Sequence, residues 1–133
     1  MAGRVSGSLL DTSVLIARDE AATLELPESA AISVITLGEL RAGVLMAGHE
    51  SVARDRRHRL AAVRAAFAPL PVDEPVAERY GDVLARARSQ RRVVKATDLL
   101  IIATAAASAR HLYTLDVAQG RLAAAVGVSA TVP

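Results

Sequence analysis

Ser8-Leu9-Leu10-Asp11-Thr12-Ser13 is the stretch on which the reading of this chain turns. An apolar run stops in a carboxylate, two hydroxyls follow, and Val14-Leu15-Ile16 resumes the hydrophobic pattern. Gly7 to Leu10 is apolar without alternation, as a short strand buried on both faces should be. Asp11 then falls at the strand's carboxyl end, where open parallel sheets keep their ligand crevices. Thr12 or Ser13 suits the cap of a following helix through a side-chain oxygen. Asp11 could equally be a helix cap and nothing more, and this stretch alone does not separate the two readings.

The composition narrows the field. A chain of 133 residues is expected to form one domain, 1–133, with a single substantial core. Apolar residues make up 52%, which argues against disorder. The net charge of +2 says little about partners, but the 16 basic residues are unevenly placed. The lack of cysteine excludes a disulfide framework and a thiolate metal site, and it agrees with a reducing cytoplasm. Asp11 interrupts any signal-peptide core begun near Arg4, and the apolar run Leu99 to Ala107 is too short to cross a bilayer. A soluble, cytoplasmic protein without a membrane partner is expected.

Outward from the opening strand, Val14 to Ala17 should be helical, and Leu24 to Pro27 leads out through an acidic turn. Ala31 to Ile35 is a second strand candidate, rich in β-branched residues. Thr36-Leu37-Gly38-Glu39 opens a helix with Leu37, Leu40, Val44 and Leu45 on one face. Glu50 to Phe67 is helical by period and carries Arg54, Arg56, Arg57, Arg59 and Arg64. Pro69, Pro71 and Pro75 confine any strand around Leu70 and Val72 to a short piece near an edge, and Pro75 suits the first turn of a helix. Val76, Tyr80, Val83, Leu84 and Ala87 line one face of that helix. Thr97-Asp98 opens another, Leu99 to Ala109, apolar enough to be buried nearly all round. His111 to Leu115 reads as a strand with Asp116 at its end, Gln119 to Val126 as a short helix stopped by Gly127, and Val128 to Val132 as a last strand. Strands alternating with helices predict an α/β fold with a parallel sheet covered on both faces.

Asp11 and Asp116 each follow an apolar strand, while Glu39 and Asp98 fall in the first turn of a helix. With right-handed crossovers, strand ends and the helix starts that follow them share one edge of the sheet, so four acids distant in sequence could converge there. Such a cluster repels itself unless a cation occupies it. Hard oxygen donors suit Mg²⁺ or Mn²⁺, and phosphodiester hydrolysis by metal-activated water is the natural chemistry. A two-metal arrangement would place the ions roughly 3.5–4 Å apart. Each acid also has a plainer reading. Thr36 and Glu39 match a capping box, Asp98 favours a helix dipole, and Asp116 suits a turn.

A resemblance bears on the choice. Leu9-Leu10-Asp11-Thr12-Ser13-Val14-Leu15-Ile16, Thr36-Leu37-Gly38-Glu39-Leu40-Arg41-Ala42-Gly43, Lys95-Ala96-Thr97-Asp98-Leu99-Leu100-Ile101-Ile102-Ala103-Thr104-Ala105 and Leu112-Tyr113-Thr114-Leu115-Asp116 resemble the successive signature blocks of PIN-domain ribonucleases. Within them the likeness is to the toxin branch of VapBC toxin–antitoxin pairs, and it runs essentially end to end. It implies a three-layer α/β/α sandwich with a short, mostly parallel central sheet. It also implies a Mg²⁺- or Mn²⁺-dependent endoribonuclease, a cognate VapB-like antitoxin and a homodimer. By position, Asp11, Glu39, Asp98 and Asp116 are then the catalytic, metal-binding acids, and Thr12, Ser13 and Thr114 their polar support. The sequence departs from the pattern in one place. Many relatives have an acid three residues beyond the Asp116 position, where this chain has Gln119.

Arg86, Arg88, Arg91, Arg92 and Lys95 form a basic cluster suited to an RNA backbone, since phosphate contacts supply most nucleic-acid affinity. The arginines from 54 to 59 fit a solvated helix face at least as well. Aromatic residues are only 2%, too few for a base-stacking platform, and His49, His58 and His111 lack metal-ligand spacing. A haloacid-dehalogenase-type phosphatase would want an Asp at position 13, which is Ser13, and a receiver domain an extra acidic pair near the first strand. An inactive PIN-like protein-binding module is the remaining alternative, against which stands the presence of all four acids.

Overall fold

The computed structural model describes residues 7–20, 26, 27 and 29–133, without the side chains of 18–20. Arg4, and Leu24 and Glu25 of the turn expected over Leu24 to Pro27, lie outside the described residues. The central strand is β1 (Ser8–Leu10), followed at once by α1 (Thr12–Glu20). It pairs in parallel with β2 (Ala30–Ser33) on one side and with β4 (His111–Tyr113) on the other. β3 (Pro69–Leu70) lies beyond β2 and β5 (Ala130–Thr131) beyond β4, again in parallel, for the order β3-β2-β1-β4-β5. The chain thus builds outward from β1 in one direction and then crosses over to build in the other. The place where that direction reverses is where α/β sheets keep their binding crevice. β3 carries a proline and sits at an edge, where a missing N–H costs no ladder bond.

Successive side chains on a strand point to opposite faces, and β1 uses both. Leu9 and Leu10 are each 0% exposed but belong to different cores. Leu9 joins Ala31 and Leu112 under α4 (Glu74–Ser89), α5 (Ala96–Ala107) and α6 (Val117–Ala125). Leu10 joins Ile32 under α1, α2 (Val34–Leu45) and α3 (Glu50–Ala66). This is the three-layer α/β/α sandwich. Full burial of each leucine is worth about 1.5–3 kcal/mol, so a strand of three residues anchors both layers. α5 supplies Leu99, Ile101, Ile102, Ala103 and Ala105, all buried, as its composition predicted. No helix among the described residues is long and apolar enough to cross a membrane.

Several element ends differ from the sequence reading. β2 stops at Ser33 rather than Ile35, because the Ser33 side chain accepts a hydrogen bond from Ile35 N and caps α2 without an intervening loop. Thr36 and Glu39 therefore form no capping box, and Glu39 stands in the second turn of α2 rather than the first. Leu45, expected on the apolar face, is 68% exposed. The strand expected to Leu115 ends at Tyr113, and α5 ends at Ala107 rather than Ala109.

Three helices end the same way. After α4, Arg91 takes φ +53°, Arg91 N donates to Arg88 O and Arg92 N to Ala87 O. After α5, Ala109 takes φ +52°, with Ala109 N bonded to Ala106 O and Arg110 N to Ala105 O. After α6, Gly127 takes φ +83°, with Gly127 N on Ala124 O and Val128 N on Ala123 O. Each is a Schellman stop, and only the third has the residue that adopts a left-handed conformation without cost. The first of these stops aims Arg92 to Lys95 at the start of α5.

Candidate active site

Asp11 stands where β1 meets α1 and is nearly buried. Its amide N donates to Tyr113 O at 2.8 Å, which fixes it to the end of β4. Its carboxylate is the acceptor for donors from both sides of the sheet edge. Ser13 N (3.1 Å) and Ser13 Oγ (2.5 Å) donate to Oδ2, and Thr114 Oγ1 lies 3.4 Å from the same oxygen. Gln119 Nε2 donates to Oδ1 at 3.3 Å. Because Ser13 N is in the first turn of α1, Asp11 does cap that helix. The cap and the crevice readings of Asp11 are therefore compatible.

Glu39 is tied to the same place through a hydroxyl. Thr12 Oγ1 lies 2.8 Å from Glu39 Oε1, which can only accept, and 3.0 Å from the Oγ1 of Thr36, itself fully buried. Thr12 and Ser13 thus divide the labour, one holding Glu39 and the other Asp11. Thr36 was not anticipated as a neighbour of the acids. Its signal was available, since a hydroxyl one turn before Glu39 on a helix shares that residue's face.

Asp98 and Asp116 make the other half of the edge. Asp98 is the third residue of α5 and Asp116 is the N-cap of α6, its Oδ1 accepting from Ala118 N (2.9 Å) and Gln119 N (3.2 Å). The turn reading of Asp116 is right as far as it goes, but the same residue also lines a cleft with Asp98. That cleft, about 420 Å³, is bounded by Arg92, Lys95, Asp98, Asp116 and Gln119. The Asp98 carboxylate has no hydrogen bond or ion pair among the described residues. Its pKa is raised, first by burial and then by the charges of Asp11, Glu39 and Asp116, with Lys95 acting weakly the other way. The four acids are thus near enough to feel one another. They are not drawn tightly together: among the described residues no three acid or histidine side chains already enclose an ion position. The donor set is all oxygen and fits a hard divalent cation.

The basic cluster divides. Arg92 and Lys95 line the acid cleft, whereas Arg86, Arg88 and Arg91 are exposed and do not. Arg92 is held there by donation from Nη2 to Ala118 O at 2.9 Å. On the far side of Glu39, Arg56 and Arg59 line a second cleft of about 460 Å³ with Ile16, Leu40 and Asp55. Arg56 also donates to Gly43 O at 2.7 Å and so ties α3 to α2. Arg57 pairs with Glu50 on the exposed face of α3, as the solvated-face reading holds for that residue.

The comparisons with known proteins agree with this geometry. The PIN domain family model matches residues 8–125. Ribonuclease VapC8 of Mycobacterium tuberculosis is 45% identical over 106 residues, covering 77% of this chain and 94% of the relative. Ribonuclease VapC5 of the same species is 35% identical over 114 residues, covering 84% of each. A crystal structure of VapBC-5 from M. tuberculosis, a member of the VapBC family of toxin–antitoxin systems, aligns with a TM-score of 0.81 at 34% identity, over 94% of this chain and 97% of that one. With family match, fold and an acid-lined sheet edge in agreement, this chain belongs to the PIN-domain family, in its VapC branch.

Proposed function

We propose that this protein is a divalent-metal-dependent endoribonuclease and the toxin half of a VapBC-type pair. The observation that carries the reading is the state of Asp98, a carboxylate with no hydrogen-bonding partner among the described residues, under the charges of three other acids at the edge where the sheet's direction reverses. A purely structural acid would have donors around it, as Asp11 has. An inactive binding module would have no reason to keep four mutually repelling carboxylates together.

In this reading Asp11, Glu39, Asp98 and Asp116 hold Mg²⁺ or Mn²⁺. The bound cation supplies charge stabilisation at the phosphodiester and activation of the attacking water. The chain's own contribution is orientation. Ser13 and Gln119 fix the Asp11 carboxylate, Thr12 fixes that of Glu39, and the α6 cap leaves Asp116 Oδ2 free to face the cleft. Arg92 and Lys95 take the RNA backbone beside the acids. Purified protein incubated with total RNA and Mg²⁺ or Mn²⁺ should yield discrete cleavage ends, and EDTA should abolish them. Undiminished cleavage in EDTA would refute the proposal.

The partner is proposed on kinship and surface together. Leu45 and Met46, adjacent at the end of α2, and Val93 are large apolar side chains at least two-thirds exposed. A second copy of the chain and a VapB-like antitoxin are the proposed covers. Sedimentation that gives a monomer, with no co-purifying product of a neighbouring gene, would count against both.

A further inference from the structure

Gln119 occupies the centre of the acid edge, is 3% exposed, and has every polar atom engaged. The orientation of its amide follows from its partners. Asp11 Oδ1 (3.3 Å) and Asp98 O (3.5 Å) can only accept, so the NH₂ group faces them. Thr114 Oγ1 accepts from Asp116 N (3.1 Å) and keeps its proton for Gln119 Oε1, 2.6 Å away. One side chain on α6 thereby joins the end of β1, the start of α5 and the turn after β4.

We propose that Gln119 is a positioning residue that assembles the acid edge before any cation arrives. Its amide supplies Asp11 with the positive end of a dipole where a cation would otherwise be needed to hold Asp11 against α5. The inference rests on the function proposed above and adds a regulatory consequence: cation affinity is exchanged for preassembly. A carboxylate at this position would set an oxygen against Asp11 Oδ1 and the Asp98 carbonyl, both acceptors. It would add one negative charge, pull a cation in more strongly, and leave the metal-free edge strained. The amide gives the reverse, a site that is formed without metal and binds it more weakly.

Two near-isosteric variants test this. Mn²⁺ binding to the purified full chain would be measured by calorimetry, with melting followed in EDTA and in Mn²⁺. Gln119→Glu should bind Mn²⁺ about tenfold more tightly, since affinity at oxygen sites follows ligand charge, and should melt lower than wild type in EDTA. Gln119→Met keeps the length and loses all three hydrogen bonds. It should bind Mn²⁺ roughly tenfold or more weakly, the usual cost of losing an outer-shell partner, and RNA cleavage should fall in kcat with KM little changed. If Gln119→Met does not fold, Gln119→Glu decides alone. A residue that merely fills space would leave Mn²⁺ affinity at the wild-type value in Gln119→Met and the EDTA melting temperature at the wild-type value in Gln119→Glu, and either result would overturn the proposal. Failure of wild type to bind Mn²⁺ at all would instead overturn the acid-edge reading on which it rests.

Discussion

Asp11 and Asp98 stand on the same edge of one sheet in opposite surroundings. Asp11 is almost buried, and its carboxylate has three donors, Ser13 N, Ser13 Oγ and Gln119 Nε2. Asp98 opens onto the cleft, has no such donor among the described residues, and carries a raised pKa. The first acid belongs to the architecture whatever its chemistry. The second, with its raised pKa, has no such structural part, and only the proposed function gives it one. A pair of substitutions should therefore agree in activity and disagree in stability.

That is the largest expected effect. Asp11→Ala and Asp98→Ala should each lower RNA cleavage by about a thousandfold, since each removes part of a charge clamp worth several kcal/mol at the transition state. In EDTA, Asp11→Ala should also lose about 1–3 kcal/mol of stability, because buried donors are left without an acceptor. Asp98→Ala should lose none from that source. Denaturant unfolding of the two variants separates them, and equal losses would erase the distinction.

Next in size is RNA binding. Charge reversal at Arg92 and Lys95 should weaken binding to every sequence and reduce the salt slope by roughly one unit per lost phosphate contact. The same change at Arg86 and Arg88 should do less, because these residues do not border the acids. An equal effect from both pairs would place the RNA track along α4 instead.

The smallest effect concerns how the cleft is aimed. Arg91 adopts φ +53° in the stop that turns the chain toward Arg92 and Lys95. Arg91→Gly should stabilise the protein by up to about 1 kcal/mol without altering cleavage, by relieving a left-handed conformation. A lower melting temperature would show that the Arg91 side chain has a role of its own.

These positions also show what could be read in the chain. The stop of α6 was legible because it falls on Gly127. The equivalent stops after α4 and α5 were not, because Arg91 and Ala109 hold the same geometry against their own preference, within the hydrogen bonds that close each helix. Leu9-Leu10 announced a strand buried on both faces, and each leucine does enter a different core. The boundary at Ser33 was missed because apolar Val34 and Ile35 favour a strand locally, while the Ser33 cap turns them into a helix. At the edge itself Asp11 and Asp116 stood out as charges ending apolar strands, and Glu39 and Asp98 as acids near the starts of apolar helices. Gln119 stood out only as a missing acid, since a lone amide in a short helix does not disclose which three elements it joins.

The central claim is that four carboxylates converge where a divalent cation belongs, and thermal melts of wild type and Asp98→Asn test it most directly. In the folded, metal-free protein Asp98 holds its proton more tightly than in the unfolded chain. The stability it contributes is therefore present below the ordinary Asp range and is lost as pH rises through the raised pKa. At pH 7 in EDTA, Asp98→Asn should melt above wild type, by about 1 kcal/mol in stability, and the gap should close on acidification. Mg²⁺ or Mn²⁺ should then raise the wild type more than the variant, because a ligand of the native state stabilises it by mass action. A variant that melts below wild type in EDTA, with no metal shift in either protein, would contradict the account.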